Sequence, residues 1–280
     1  FENIALCLLI ISLEGIFQLL TTKHIKKSIL LISVFSAVLA CLLRPHILSI
    51  YLFLIFLAIL SGIFLKNRFY LKLGLLYALI IFVFHVPIFY QNYKDFGSLF
   101  LSTQPSLEFF QGHNPFARGS WQPGIWDKHK DELQKMFAQE PNLPYLNEKE
   151  ELDFYKKQAI QWILENPEKE LLLILRKTAI LFLPYNFLDK NFSIFLLVTY
   201  VGFIGFLVLF TLNIKQIMQS QEFIFLLILL IPFIAVYFLN IYFFVGERWR
   251  YYGEPFMLIL AIYFYKRIYL QIFRRKTQNV

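Results

Sequence analysis

The chain has 280 residues, 58% hydrophobic and 19% aromatic, with only 16% charged. A soluble domain carries about a quarter charged residues, so an ordinary water-soluble fold is excluded; the apolar residues arrive in blocks long enough to cross a bilayer. The formal net charge of +8 sits at the ends of those blocks, where the inside bias of Lys and Arg accounts for it, and no basic groove interleaved with stacking aromatics points to nucleic acid.

Apolar runs fall at 3–20, 28–43, 47–65, 73–90, 192–212, 222–245 and 255–269, each near the length of a tilted spanning helix. The predicted fold is all-α: a polytopic bundle of about seven spanning helices. An eighth run, 170–183, is shorter and carries Arg176 and Lys177 at its centre, where each charge would cost about 2.5–3.5 kcal/mol. If it does not span, one set of loops holds Lys23, Lys26, Lys27, Lys66, Arg68, Lys72, Lys215, Lys266, Arg267, Arg274, Arg275 and Lys276, against Arg44, Arg248 and Arg250 in the opposite short loops. That is a positive-inside pattern. It divides the chain into 1–90 (four spans), 91–191 (one long extracytoplasmic segment) and 192–280 (three spans and a basic cytoplasmic tail). The run 170–183 is then an interfacial or re-entrant helix.

Inside the long segment, 91–126 is rich in Gly, Pro, Ser and Asn and reads as loop. Residues 129–139 form a short helix by pattern. In 148–165, Leu152, Tyr155, Ala159, Trp162 and Ile163 keep helical spacing, and Asn166-Pro167 ends that helix before another begins at 168. A helix pair of this kind suits a platform at the membrane surface.

Cys7 and Cys41 lie inside apolar runs and give neither a disulfide framework nor a metal spacing. Asp127, His129 and His113 match no zinc pattern, so no cofactor is expected, with a divalent metal as the minor alternative. Glu14 and His85 are polar groups within spans; a helix–helix hydrogen bond and hydrogen-bonded packing are the readings preferred over ligand roles. Trp121 and Trp126 read as interfacial anchors, with sugar stacking as the functional alternative. Residue 1 is Phe, within an apolar run and with no signal peptide, and the expectation is a processed or truncated chain.

Four stretches in order carry chemistry. They are Leu42-Leu43-Arg44-Pro45; 87–119, PIFYQNYKDFGSLFLSTQPSLEFFQGHNPFARG; 165–183, ENPEKELLLILRKTAILFL; and 242–263, YFFVGERWRYYGEPFMLILAIY. Together they resemble the C-terminal portion of bacterial polytopic glycosyltransferases of the GT-C type, relatives of protein O-mannosyltransferases and the lipid A aminoarabinose transferase. Asn92-Tyr93, Phe96-Gly97, Ser102-Thr103, Asn114-Pro115, Asn166-Pro167, Arg176-Lys177 and Gly246-Glu247-Arg248 through Glu254-Pro255 fit that group's motifs. Glu2 matches an acidic residue that opens the helix before the Arg-Pro span. Gln91, His113 and Trp249 depart from the pattern.

The resemblance implies an integral protein of the bacterial inner membrane. It would move a sugar from a polyprenyl-phosphate donor to an extracytoplasmic glycan, lipid or protein, with inversion. It places the catalytic carboxylate in a first external loop upstream of these motifs, so no catalytic residue is named here and the chain alone is expected to be inactive. Arg248 and Arg250, with Glu247 and Glu254, are candidates for the donor phosphate, since Arg forks suit phosphate oxygens; pairing with those glutamates to anchor the helix end is the bland alternative. Arg44 and Glu2 are further candidates, each with a capping or snorkelling alternative, and Asn114 is one through a tight Gly112-His113-Asn114-Pro115 turn near the substrate. A polysaccharide polymerase or ligase, and a non-enzymatic lipid or sugar transporter, are the competing functions.

Overall fold

A computed structural model describes residues 1–22, 26–64, 66–97, 104–120, 148–182, 193–218, 222–245 and 252–278. The architecture is all-helical, and its only β feature among these residues is an isolated bridge between Ser120 and Val245. The helices are α1 (Glu2–Thr22), α2 (Lys27–Leu43), α3 (Ile47–Phe64), α4 (Arg68–Phe96), α5 (Gln104–Gly112), α6 (Glu148–Glu165), α7 (Pro167–Leu181), α8 (Ile194–Leu212), α9 (Ile214–Met218), α10 (Glu222–Tyr242) and α11 (Glu254–Gln278).

Among the described residues, five helices (α1, α3, α4, α8 and α10) are long and apolar enough to cross a membrane. The apolar α2, at 17 residues, and α11 occupy the two remaining predicted runs. Outward faces carry Phe82, Val83, Phe84 and Val198, all exposed. Water would penalise such a surface, and hydrocarbon would not; the chain is a helical bundle suited to a lipid bilayer.

The chain forms two compact units: 1–85 with 184–236 and 250–280, and 86–183 with 237–249. In the first, helices approach closely where side chains are small. A Cβ on Gly15 would sit 2.5 Å from Cβ of Ser33, and one on Gly202 2.7 Å from Cβ of Ala261. Ser33 Oγ donates to Ser12 O at 2.7 Å and bonds Tyr77 OH, tying α1, α2 and α4 through buried hydroxyls. Small residues with hydrogen bonds are what membrane helices use to associate, because apolar burial gains little in lipid.

In the second unit α5, α6 and the residues after α10 share an aromatic core of Phe109, Phe110, Ala159, Phe243 and Phe244. Helix α6 spans 148–165 and α7 starts at Pro167, as the periodicity and the Asn-Pro pair predict; Pro at the first helical position lacks only an N–H that has no partner anyway.

Some expectations need correction. Residues 91–96 continue α4, and 104–112 form α5, where loop was expected. Polar composition misled there: Gln91 donates to Asp95 one turn on at 2.7 Å, and α5 is held by burial of Phe109 and Phe110. At roughly 1.5 Å per residue, the 29 residues of α4 run well past about 30 Å of hydrocarbon. Among the described residues Glu14 makes no helix–helix bond; it is exposed and accepts from Gln18 of its own helix at 2.9 Å. His85 is buried with Nδ1 2.7 Å from Ile81 O. The predicted 129–139 helix, Trp121 and Trp126 lie outside the described residues.

Candidate functional site

The first unit gathers motif residues at helix ends. Glu2 opens α1, and Arg44 follows α2, where the chain turns through Pro45 and His46 into α3. Arg44 Nη2 meets Glu2 Oε1 at 2.9 Å, with about a third of each side chain exposed. The turn is tight because Ile47, Leu48 and Ser49 N–H groups return to the carbonyls of Arg44, Pro45 and His46 at 3.0–3.1 Å. Two buried nitrogens, Arg44 Nε and His46 Nε2, have no hydrogen-bond partner among the described residues. The His46 ring lies 4.7 Å, edge-on, from the Tyr252 ring. Burial, and then the Arg44 charge, lower the His46 pKa to about 4, so the imidazole is neutral near pH 7. Two residues beyond Tyr252, Glu254 accepts from the buried Tyr200 OH at 3.1 Å.

Glu2, Arg44 and the start of α11 come from sequence-distant motifs and share this one unit. Glu247, Arg248 and Arg250 lie outside the described residues.

The second unit contains Asn114. Its Nδ2 donates to Phe110 O at 2.7 Å and its Oδ1 accepts from Phe116 N at 2.8 Å. Both ends of the amide are used in closing the turn after α5, so here Asn114 shapes the chain.

Next to it is a cluster that sequence reasoning missed. Lys177, read as an interfacial cation paired with Arg176, is 1% exposed. Its Nζ donates to Ile241 O at 2.8 Å and Phe243 O at 2.7 Å and lies 3.1 Å from His113 Nε2. His113 Nδ1 lies 2.9 Å from Glu170 Oε1, and both residues are buried. Burial lowers the Lys177 pKa to about 7, against a partial opposing pull from Glu170. Arg176, the neighbour, is exposed. The available signal was spacing: Glu170, Leu173, Lys177 and Leu181 form one buried stripe of α7, at the 3-4-4 interval of a core-facing helix. Reading Arg176-Lys177 as one basic pair ignored the roughly 100° between successive residues.

Among the described residues no group of three or more His, Cys, Asp or Glu side chains is placed to hold a metal ion. No family model, curated protein or solved structure matches this chain.

Proposed function

We propose that the chain serves a bacterial membrane glycosyltransferase that moves a sugar from a polyprenyl-phosphate donor to an extracytoplasmic acceptor. The observation that carries this reading is the convergence in the first unit: Glu2 on Arg44 at 2.9 Å, and His46 of the Arg44 turn on Tyr252 at 4.7 Å between rings. Motifs separated by some 200 residues of sequence therefore meet where apolar helices end. Such helix ends lie at headgroup depth, the level of a polyprenyl phosphate's charge.

In this reading Arg44 binds the phosphate, Glu2 orients its guanidinium and Glu254 the Tyr200 hydroxyl; that Arg248 and Arg250 also bind phosphate is what the resemblance implies. The acceptor oxygen attacks the anomeric carbon, the bond from that carbon to the phosphate oxygen breaks, and the arginines stabilise the charge left on phosphate. Arg44 suits the task because, among the described residues, Glu2 engages only the Nη2 end of its guanidinium fork. The base that activates the acceptor matches no motif in this sequence. A transporter would need helices broken near midplane, but α4 and α10 run unbroken through Pro87 and Pro232.

The test is binding by purified chain in lipid nanodiscs. Polyprenyl monophosphate should bind at least tenfold more tightly than the corresponding polyprenol. Arg44→Ala and the double variant Arg248→Ala/Arg250→Ala should each remove most of that preference. Equal binding of phosphate and alcohol would end the reading.

A further inference from the structure

The buried ammonium of the second unit joins three separate pieces of chain. Lys177 Nζ holds the carbonyls of Ile241 and Phe243, and His113 Nε2 lies 2.8 Å from the carbonyl between them, that of Tyr242. Val245 N–H donates to Gly119 O at 2.8 Å. A Cβ on Gly112 would lie 1.6 Å from Phe243 O, so α5 packs its bare backbone on this same stretch.

Helix C-termini normally meet water or a glycine cap. Here three successive carbonyls at the end of α10 are met by two buried side chains instead, and the arrangement commits a buried carboxylate as well. Burying an ammonium and a carboxylate is costly. What this combination fixes is backbone 241–245, and the next residue, Gly246, begins the Gly-Glu-Arg-Trp-Arg segment.

We propose that Lys177, His113 and Glu170 are positioning residues, a charge clasp that fixes backbone 241–245 and thereby supports phosphate binding by the arginines that follow in sequence, Arg248 and Arg250. The second half of that statement rests on Arg248 and Arg250 binding phosphate; the first half does not. Each member has a distinct task. Lys177 Nζ donates to Ile241 O and Phe243 O, His113 Nε2 faces Tyr242 O, and Glu170 Oε1 lies 2.9 Å from His113 Nδ1 on the far side of the ring.

The experiment uses the full chain in nanodiscs with two readouts: hydrogen exchange at the Phe243 and Val245 amides, and polyprenyl monophosphate binding well below each variant's melting temperature. Lys177→Met and His113→Leu should speed exchange at 243 and 245 more than tenfold and weaken binding at least tenfold. His113→Gln, whose amide nitrogen reaches the Nε2 position, should restore most of both. Glu170→Gln keeps the acceptor and removes the charge; it should raise exchange several-fold at those amides and remains informative if Lys177→Met fails to fold. Unchanged exchange in Lys177→Met, or in Glu170→Gln where that is the folded variant, overturns the clasp. Faster exchange with unchanged binding overturns its positioning role. If the unsubstituted chain binds no polyprenyl monophosphate, the phosphate reading falls, and exchange alone decides whether the clasp stands.

Discussion

His46 and Lys177 both hold pKa values below their ordinary ones, about 4 against 6.5 and about 7 against 10.5. Between each pair of values the unfolded chain binds a proton that the folded chain refuses, so stability rises with pH across both windows. The groups facing His46 are Arg44 and Tyr252; those facing Lys177 are His113 and Glu170. Thermal midpoints measured from pH 4 to 10 should climb through both ranges. His46→Gln should flatten the acid limb and Lys177→Met the alkaline one; a midpoint falling between pH 7 and 10 would contradict this assignment. Arg44 behaves differently, because its pair with Glu2 is about one-third exposed. Such pairs contribute about 0–1 kcal/mol, so Arg44→Ala should barely move the midpoint while it lowers phosphate binding. Arg44 could be read in the sequence because an Arg-Pro turn after an apolar run leaves a cation little choice of place. Lys177 could not be read as readily, since three of its four polar neighbours are the backbone carbonyls of Ile241 and Phe243 and a histidine 64 residues away, and carbonyls leave no mark in a sequence.

At the scale of elements, close approach decides what the helices tolerate. Gly15 faces Ser33 of α2, with no room for a Cβ. Gly15→Val should separate α1 from α2, break the Ser33 hydroxyl bonds and lower the thermal midpoint, at a cost of about 1–3 kcal/mol for overpacking. Retained midpoint and unchanged cross-linking between cysteines placed on α1 and α2 would refute the packing argument. Gly112→Ala should be worse, because the obstacle is the Phe243 carbonyl, which cannot rotate away as a side chain can. Long periodic elements such as α6 were legible because Tyr155, Ala159, Ile163 and the Asn166-Pro167 stop imprint themselves on the sequence, although the buried Phe154 was not among the residues read. Helix α5, with nine residues, is too short to be stable alone; its helicity comes from the aromatic core around Phe110 and Ala159, which no local pattern reports.

For the whole molecule, the membrane assignment follows from composition, since helices of this hydropathy carry apolar side chains on their exposed faces. Orientation is a separate matter, carried by the charge bias of the loops. Cysteine substituted at Lys215 should react with impermeant maleimide only from the cytoplasmic side, and cysteine at Gln161 only from the opposite one; the reverse labelling would invert the proposed topology. The two units also interleave along the chain: the second is made of 86–183 together with 237–249. During synthesis Lys177, His113 and Glu170 are made 64 or more residues before the carbonyls of Ile241 and Phe243 exist. Until then the lysine has to remain hydrated and fully basic. Completion of this unit is thus tied to translation of α10, and a nascent chain stalled at residue 236 would present α7 with its lysine still open to amine-directed reagents.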